Sequence, residues 1–241
     1  MLNYIKADFL KQKHKFTLKL LWLAPITPMV LSLLLMGGMF FTENSFNWWY
    51  TLLLPTAISM IVAFNASSEK KYNRHGLFSV CASKRKLWVS NVLSNSISLL
   101  LINLVFFLFI SVFTWFFGFK LSIGNNLFAC IVLFITFAWQ IPLLMLLAEK
   151  TGKYVTIFIA LISNIVFGIF FAPTKLWLVP FAIPSRLMCP IVGVMPNGLP
   201  VQSGSNLGDS WVVVVGILIT VILYFITTFF TSAWFDNSEV G

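Results

Sequence analysis

Six stretches of this chain contain no Asp, Glu, Lys or Arg: Leu20 to Phe41, Trp48 to Ala66, Val92 to Gly118, Leu127 to Leu147, Tyr154 to Phe171 and Trp211 to Trp234. Each is apolar and can cover a hydrocarbon core of ~30 Å, which takes about 20 helical residues, with the fifth near the short limit. The runs lack the apolar/polar alternation of barrel strands, so a closed barrel is excluded. The fold class expected is an all-α integral membrane protein with six transmembrane helices. The apolar run from Leu20 is too long for the core of a signal peptide, ~7–15 residues, and no small-x-small pattern follows it, so it is read as a retained span.

Composition agrees. The chain is 59% hydrophobic and 10% charged, against about a quarter charged residues in soluble domains. The lack of ionisable groups at membrane depth also bears on function, because proton pumps, ion-coupled antiporters and intramembrane proteases need such side chains. The energy source for any work is therefore expected outside the chain.

Basic residues fix the expected orientation. Lys6, Lys11, Lys13, Lys15 and Lys19 precede span one, Lys70, Lys71, Arg74, Lys84, Arg85 and Lys86 follow span two, and Lys150 and Lys153 follow span four. The other side holds only Lys120, Lys175 and Arg186. The positive-inside rule then places both termini in the cytoplasm. The net charge of +9 follows from this placement and from anionic headgroups, and no nucleic-acid module accompanies it.

Four segments outside the spans stand out. Residues 1–19 carry Leu2, Ile5, Phe9 and Phe16 at roughly helical spacing among lysines, which suits an interfacial amphipathic helix or a plain basic anchor. The short loop Thr42 to Asn47 makes a hairpin of spans one and two, with Trp48, Trp49 and Tyr50 expected in an aromatic belt at the interface or against a ligand. Segment 67–91 interleaves Leu77, Phe78, Leu87 and Trp88 with Glu69, Arg74, Lys84, Arg85 and Lys86, as in a short helix that docks on a partner or on lipid. Segment 172–210 contains six prolines yet stays largely apolar between Leu176 and Val194. Short re-entrant or interfacial helices are expected there rather than a seventh span, which would put Arg186 near mid-membrane.

Within the spans, Pro25, Pro28, Pro55 and Pro142 can kink their helices, and Gly37 and Gly38 allow close approach. The kinks suit either a moving pathway or simple packing. Asn65, Asn103, Gln140 and Asn164 are candidates for contact with a substrate, with interhelical hydrogen bonding as the other account. Enzyme signatures are missing: there is no phosphate-binding G-x-x-x-x-G-K-[ST] loop, no H-E-x-x-H, and no clustered Asp for magnesium-diphosphate chemistry. His14 and His75 are isolated and Cys81, Cys130 and Cys189 form no metal or redox motif, so no catalytic, cofactor or metal residue is assigned.

The order of a basic amphipathic N-terminus, six spans, a long cytoplasmic segment after span two and a structured outer segment before span six resembles permease subunits of the ABC-2 exporter class. Phe9-Leu10-Lys11-Gln12-Lys13-His14, the Lys-Arg-Lys-Leu-Trp run at 84–88 and Met195-Pro196-Asn197-Gly198-Leu199-Pro200 are similar to permeases of lantibiotic self-immunity transporters, in particular the E-type subunit of the MutE/EpiE group. The likeness spans essentially the whole chain, with residues 20–241 as the permease domain. It implies a bacterial plasma-membrane complex with a cytoplasmic ABC ATPase, which would use ATP and Mg, and with a second homologous permease. It further implies export of a lantibiotic from the producer's own membrane. Glu69, Arg74, Leu77, Phe78, Lys84, Arg85, Lys86 and Trp88 would then belong to the coupling segment that seats on the ATPase. Trp48, Trp49, Asn65, Asn103, Gln140 and Asn164 remain pathway candidates. A permease for another peptide or drug, a stand-alone peptide-binding immunity or sensor protein, and a membrane enzyme with an unfamiliar site are the other readings.

Overall fold

The computed structural model describes residues 16–36, 40–71, 83–117, 121–202 and 204–238. Among these the regular structure is helical apart from one isolated antiparallel bridge, Val194 to Pro200. In chain order the elements are α1 (Phe16–Met36), α2 (Phe41–Trp48), a π-helical turn (Trp49–Leu53), α3 (Leu54–Lys71), α4 (Lys84–Phe117), α5 (Ile123–Ala138), α6 (Gln140–Thr151), α7 (Lys153–Val166), a second π-helical turn (Phe167–Phe171), α8 (Ile183–Val192), a 3₁₀ turn (Asn206–Gly208) and α9 (Trp211–Asn237). Five helical runs are long and apolar enough to cross a membrane, and α5 with α6, bent by 42°, makes a sixth if the pair is one span. The chain is thus an all-helical protein of five to six membrane-length helices. Most of the N-terminal segment and Gly37 and Gly38 lie outside the described residues.

The segment Thr42 to Asn47, expected as a loop, is helical and largely buried. The chain reverses just before it, at Phe40, whose backbone is left-handed (φ 51°). Ser32 Oγ donates to the Phe41 carbonyl at 3.2 Å and ties α1 to α2. α2 is drawn inward by its aromatic residues: Phe41 stacks on Phe113 and Phe46 meets Phe106 edge-on at 5.1 Å. Trp49 and Tyr50 follow on the same run and are fully buried. They belong to the bundle core and do not face outward from it.

Proline explains where the helices loosen. Proline lacks an N–H and its ring collides with the carbonyl four residues earlier. The π-helical turn Trp49–Leu53 widens the helix just before Pro55, the kind of bulge that relieves such a collision. Thr51 and Thr56 donate their hydroxyls to the carbonyls of Asn47 (2.6 Å) and Leu52 (2.5 Å), which keeps the loosened backbone satisfied where no water is at hand. Pro142 acts likewise: α5 stops at Ala138, four residues before it, and α6 sets off at the 42° bend. At the break the Thr227 hydroxyl of α9, which donates to the Leu223 carbonyl at 2.7 Å, also lies 3.3 Å from the Trp139 carbonyl. The Trp139 indole meets Phe181 edge-on at 4.9 Å, so the segment after α7 packs as far into the bundle as this break.

Two glycines seat α8. A Cβ on Gly168 would lie 2.7 Å from Ser185 Oγ, and one on Gly216 would lie 2.5 and 2.9 Å from the Leu187 methyls. α8 is therefore pressed against both the π-turn after α7 and the start of α9, in the manner of small residues that let membrane helices approach. Gly216→Val is expected to overpack this contact and destabilise the fold by about 1–3 kcal/mol. Thermal unfolding in detergent should show a lower midpoint for this variant than for Gly208→Val, where a Cβ meets nothing within 4 Å.

Candidate functional site: the basic helix ends and the opposite cap

The basic end of the bundle is built from the first turns of α4 and α7 and the last turns of α6 and α9. Lys84 Nζ donates to the Ser238 carbonyl at 2.9 Å, a cation on the exposed carbonyls of a helix C-terminus. Arg85 lies 5.2 Å above the Phe229 ring, Lys150 5.1 Å above Trp234, and Lys153 5.2 and 4.9 Å above Phe64 and Tyr154. These cationic groups rest over aromatic faces, a cation–π placement. Arg85 and Lys86 are exposed and present two adjacent charges at the start of α4.

Trp88 is placed differently from its sequence neighbours. It is 2% exposed, its Nε1 donates to Thr231 Oγ1 at 3.0 Å, and its ring lies 4.7 Å from Phe235 and 6.2 Å from Trp234. It locks the first turn of α4 to the last turns of α9 and offers no surface to a partner. Leu87 beside it is also buried. Arg74, Leu77 and Phe78 lie outside the described residues, and Glu69 is placed only by backbone, in the last turn of α3.

The polar pathway candidates are joined in helix–helix pairs. Gln140 and Asn164 exchange two hydrogen bonds, of 3.0 and 2.9 Å, between α6 and α7, and Asn164 also donates to the Ala160 carbonyl at 2.8 Å. Asn65 of α3 donates to Asn95 of α4 at 3.0 Å. Trp49 Nε1 donates to Asn103 Oδ1 at 3.2 Å while its ring stacks on Phe106 at 4.7 Å. The structure thus brings every one of these residues except half-buried Trp48 into a named interhelical bond. Asn95, the partner of Asn65, was not singled out by sequence, although an Asn inside an uncharged span is the signal that could have found it.

The opposite end carries a small cap. Arg186 of α8 is 4% exposed; its two terminal nitrogens donate to the carbonyls of Leu207 (2.7 Å) and Asn206 (2.6 Å), and its guanidinium faces Trp177 at 5.9 Å. Burial pushes the neighbouring Cys189 thiol up to about 11, with Arg186 pulling the other way, so this cysteine stays a protonated packing residue at neutral pH. After α8 the chain turns through Gly193 and Gly198, at φ 80° and 85°, where only glycine is free of Cβ strain. Met195 N–H donates to the Leu199 carbonyl at 2.8 Å and Val201 N–H to Gly193 at 2.9 Å, closing a tight hairpin. Asn47 holds it from below, donating to Met195 O and to Tyr50 Oη, each at 3.0 Å. Asn197 to Pro200 are left exposed at the tip.

Beside the cap, Asn125, Phe128, Pro190, Ile191, Ser210, Val213 and Val214 line an open cleft of about 280 Å³ between α5, α8 and α9. Its walls are apolar apart from Asn125 and Ser210. In the same turn of α5, Asn126 is fully buried, and neither atom of its amide has a hydrogen-bond partner among the described residues. No group of three or more potential metal ligands occurs among the described residues.

Comparison of the chain with protein-family models, with curated proteins and with solved structures finds no match in any of the three. What the architecture defines is a helical protein of several membrane-length spans, with the charges of its long helices near their ends and two amide pairs, Gln140–Asn164 and Asn65–Asn95, joining helices inside.

The paired amides give a direct expectation. Replacing Asn164 alone by Leu leaves the Gln140 amide buried without its partner, whereas Gln140→Leu with Asn164→Leu removes both. Equilibrium unfolding of the two single variants and the double variant should show a coupling of about 0.6–1.7 kcal/mol, and additivity of the single effects would mean that the pair contributes nothing.

Proposed function

We propose that this chain is a permease subunit of an ATP-driven exporter of the ABC-2 class, working in a bacterial plasma membrane with both termini in the cytoplasm, and that it expels a lantibiotic from the producer's own membrane. The observation that carries the reading is the placement of charge. In the long helices every Asp, Glu, Lys and Arg lies at or next to an end, as with Lys19, Glu43, Lys84 to Lys86, Lys153 and Asp236, so the spans hold no ionisable relay for ion coupling. Energy then enters from a separate ATPase that uses ATP and Mg, and a second homologous permease completes the pathway.

In this reading the basic end faces the ATPase. Arg85 and Lys86 are the contact charges of the coupling segment, together with Glu69, Arg74, Leu77 and Phe78 from the sequence before them. Trp88 positions that segment from within the bundle, and Lys84 is engaged with the end of α9. The cap of α8 and the 193–201 hairpin faces outward as a re-entrant element. The apolar cleft beside it suits aliphatic side chains of an amphipathic peptide leaving the outer leaflet. Extraction costs about 0.8 kcal/mol per methylene withdrawn from lipid, so such a surface lowers the work required of each ATP cycle.

The test is affinity purification of the chain from its native membrane, with identification of what accompanies it by mass spectrometry. An ATPase and a second six-span permease are expected. In the Arg85→Glu/Lys86→Glu variant, recovery of the ATPase should fall about tenfold, the scale of losing favourable interface charges, with membrane insertion checked in parallel by the topology of the termini. Reproducible recovery of the chain alone would overturn the exporter reading and favour a stand-alone peptide-binding protein.

A further inference from the structure

Two long helices in this bundle have neither an internal proline nor a π-turn or bend. α1 contains Pro25 and Pro28, α2 passes into α3 through a π-turn, α5 and α6 meet at a 42° bend, and α7 ends in a π-turn. α4, with 34 residues, and α9, with 27, contain no proline, and the only glycine in either is Gly216. At 1.5 Å per residue they are rods of about 50 and 40 Å.

The rods are joined at the basic end. Trp88 of α4 is buried against Phe235 and Trp234 and bonded to Thr231, and Lys84 holds the Ser238 carbonyl. Away from that end each rod is linked to the hairpin through an intermediate element. Phe106 of α4 stacks on Trp49 and packs on Phe46, next to Asn47, whose amide holds the Met195 carbonyl. Gly216 of α9 receives Leu187 of α8, and α8 leads directly into the hairpin. Both routes consist of close side-chain contacts between rigid elements, the physical form that coupling between distant sites takes.

We propose that α4 and α9 act as one lever, pinned by Trp88, that carries displacement of the basic end to the 193–201 hairpin, and that Trp88 is the positioning residue on which this transmission depends. The inference deepens the exporter reading, because it names the route by which a motor engaged at Arg85 and Lys86 would move the opposite cap. It also makes a claim about the isolated chain, since the coupling resides in its own packing.

Hydrogen exchange measured by mass spectrometry on the full chain in phosphatidylcholine/phosphatidylglycerol nanodiscs, with no ATPase present, tests it. Trp88→Ala should raise exchange in residues 183–201 by roughly three- to tenfold, the size of change that packed coupling networks carry. Exchange in α7 should stay as in the unaltered chain, which separates transmission from general loosening. Trp88→Phe, which keeps most of the ring packing, should give the smaller effect. Changes confined to the joined helix ends, residues 84–92 and 228–238, would overturn the proposal, as would equal loosening of every helix. If Trp88→Ala does not insert, Thr231→Val, which removes only the acceptor of the indole bond, decides by the same pattern. ATPase recovery is scored separately on native membranes, so failure of the exporter reading and failure of the lever are distinct results.

Discussion

A side-chain amide or backbone N–H in hydrocarbon has no water to fall back on, and this scarcity of partners organises the bundle. Spans without charge can still be joined specifically, because a buried amide that finds a partner on a neighbouring helix fixes the two together. The reciprocal Gln140–Asn164 pair fixes α6 against α7, Asn65–Asn95 fixes α3 against α4, and Trp49–Asn103 fixes the first π-turn against α4. Between largely apolar spans, these pairs favour one register.

The same scarcity governs where the helices depart from ideality. Two of the loosened stretches have a hydroxyl close by: those of Thr51 and Thr56 around the turn before Pro55, and that of Thr227 at the break before Pro142. At the cap, Arg186 serves the carbonyls of the 3₁₀ turn and Asn47 serves those of the hairpin. The buried guanidinium is stabilised by carbonyl dipoles and an aromatic face.

Proline positions were visible in the chain, and the breaks fall beside two of them. What fills the breaks was not visible. Pro142 announces a bend, but that Phe181 packs against Trp139 there depends on a contact between residues 42 apart in sequence. Thr42 to Asn47 reads as a polar loop between two apolar runs, and it is helical because Phe41 and Phe46 reach the aromatic face of α4. Trp88 sits amid lysine and arginine and reads as surface. Its burial is decided by Thr231 and Phe235, more than 140 residues later.

By itself the sequence determined that the chain is helical and membrane-embedded, where its charges lie relative to the spans, and which spans can bend, because hydropathy, charge placement and proline act locally along the chain. Only the tertiary structure decided that Gln140 pairs with Asn164 and Asn65 with Asn95, that one tryptophan of the basic segment turns inward, and that two glycines seat α8 against the bundle. These are properties of surfaces brought together from distant parts of the chain, where the need of a buried polar group for a partner, and of a close helix contact for the absence of a Cβ, can be met only by a particular neighbour.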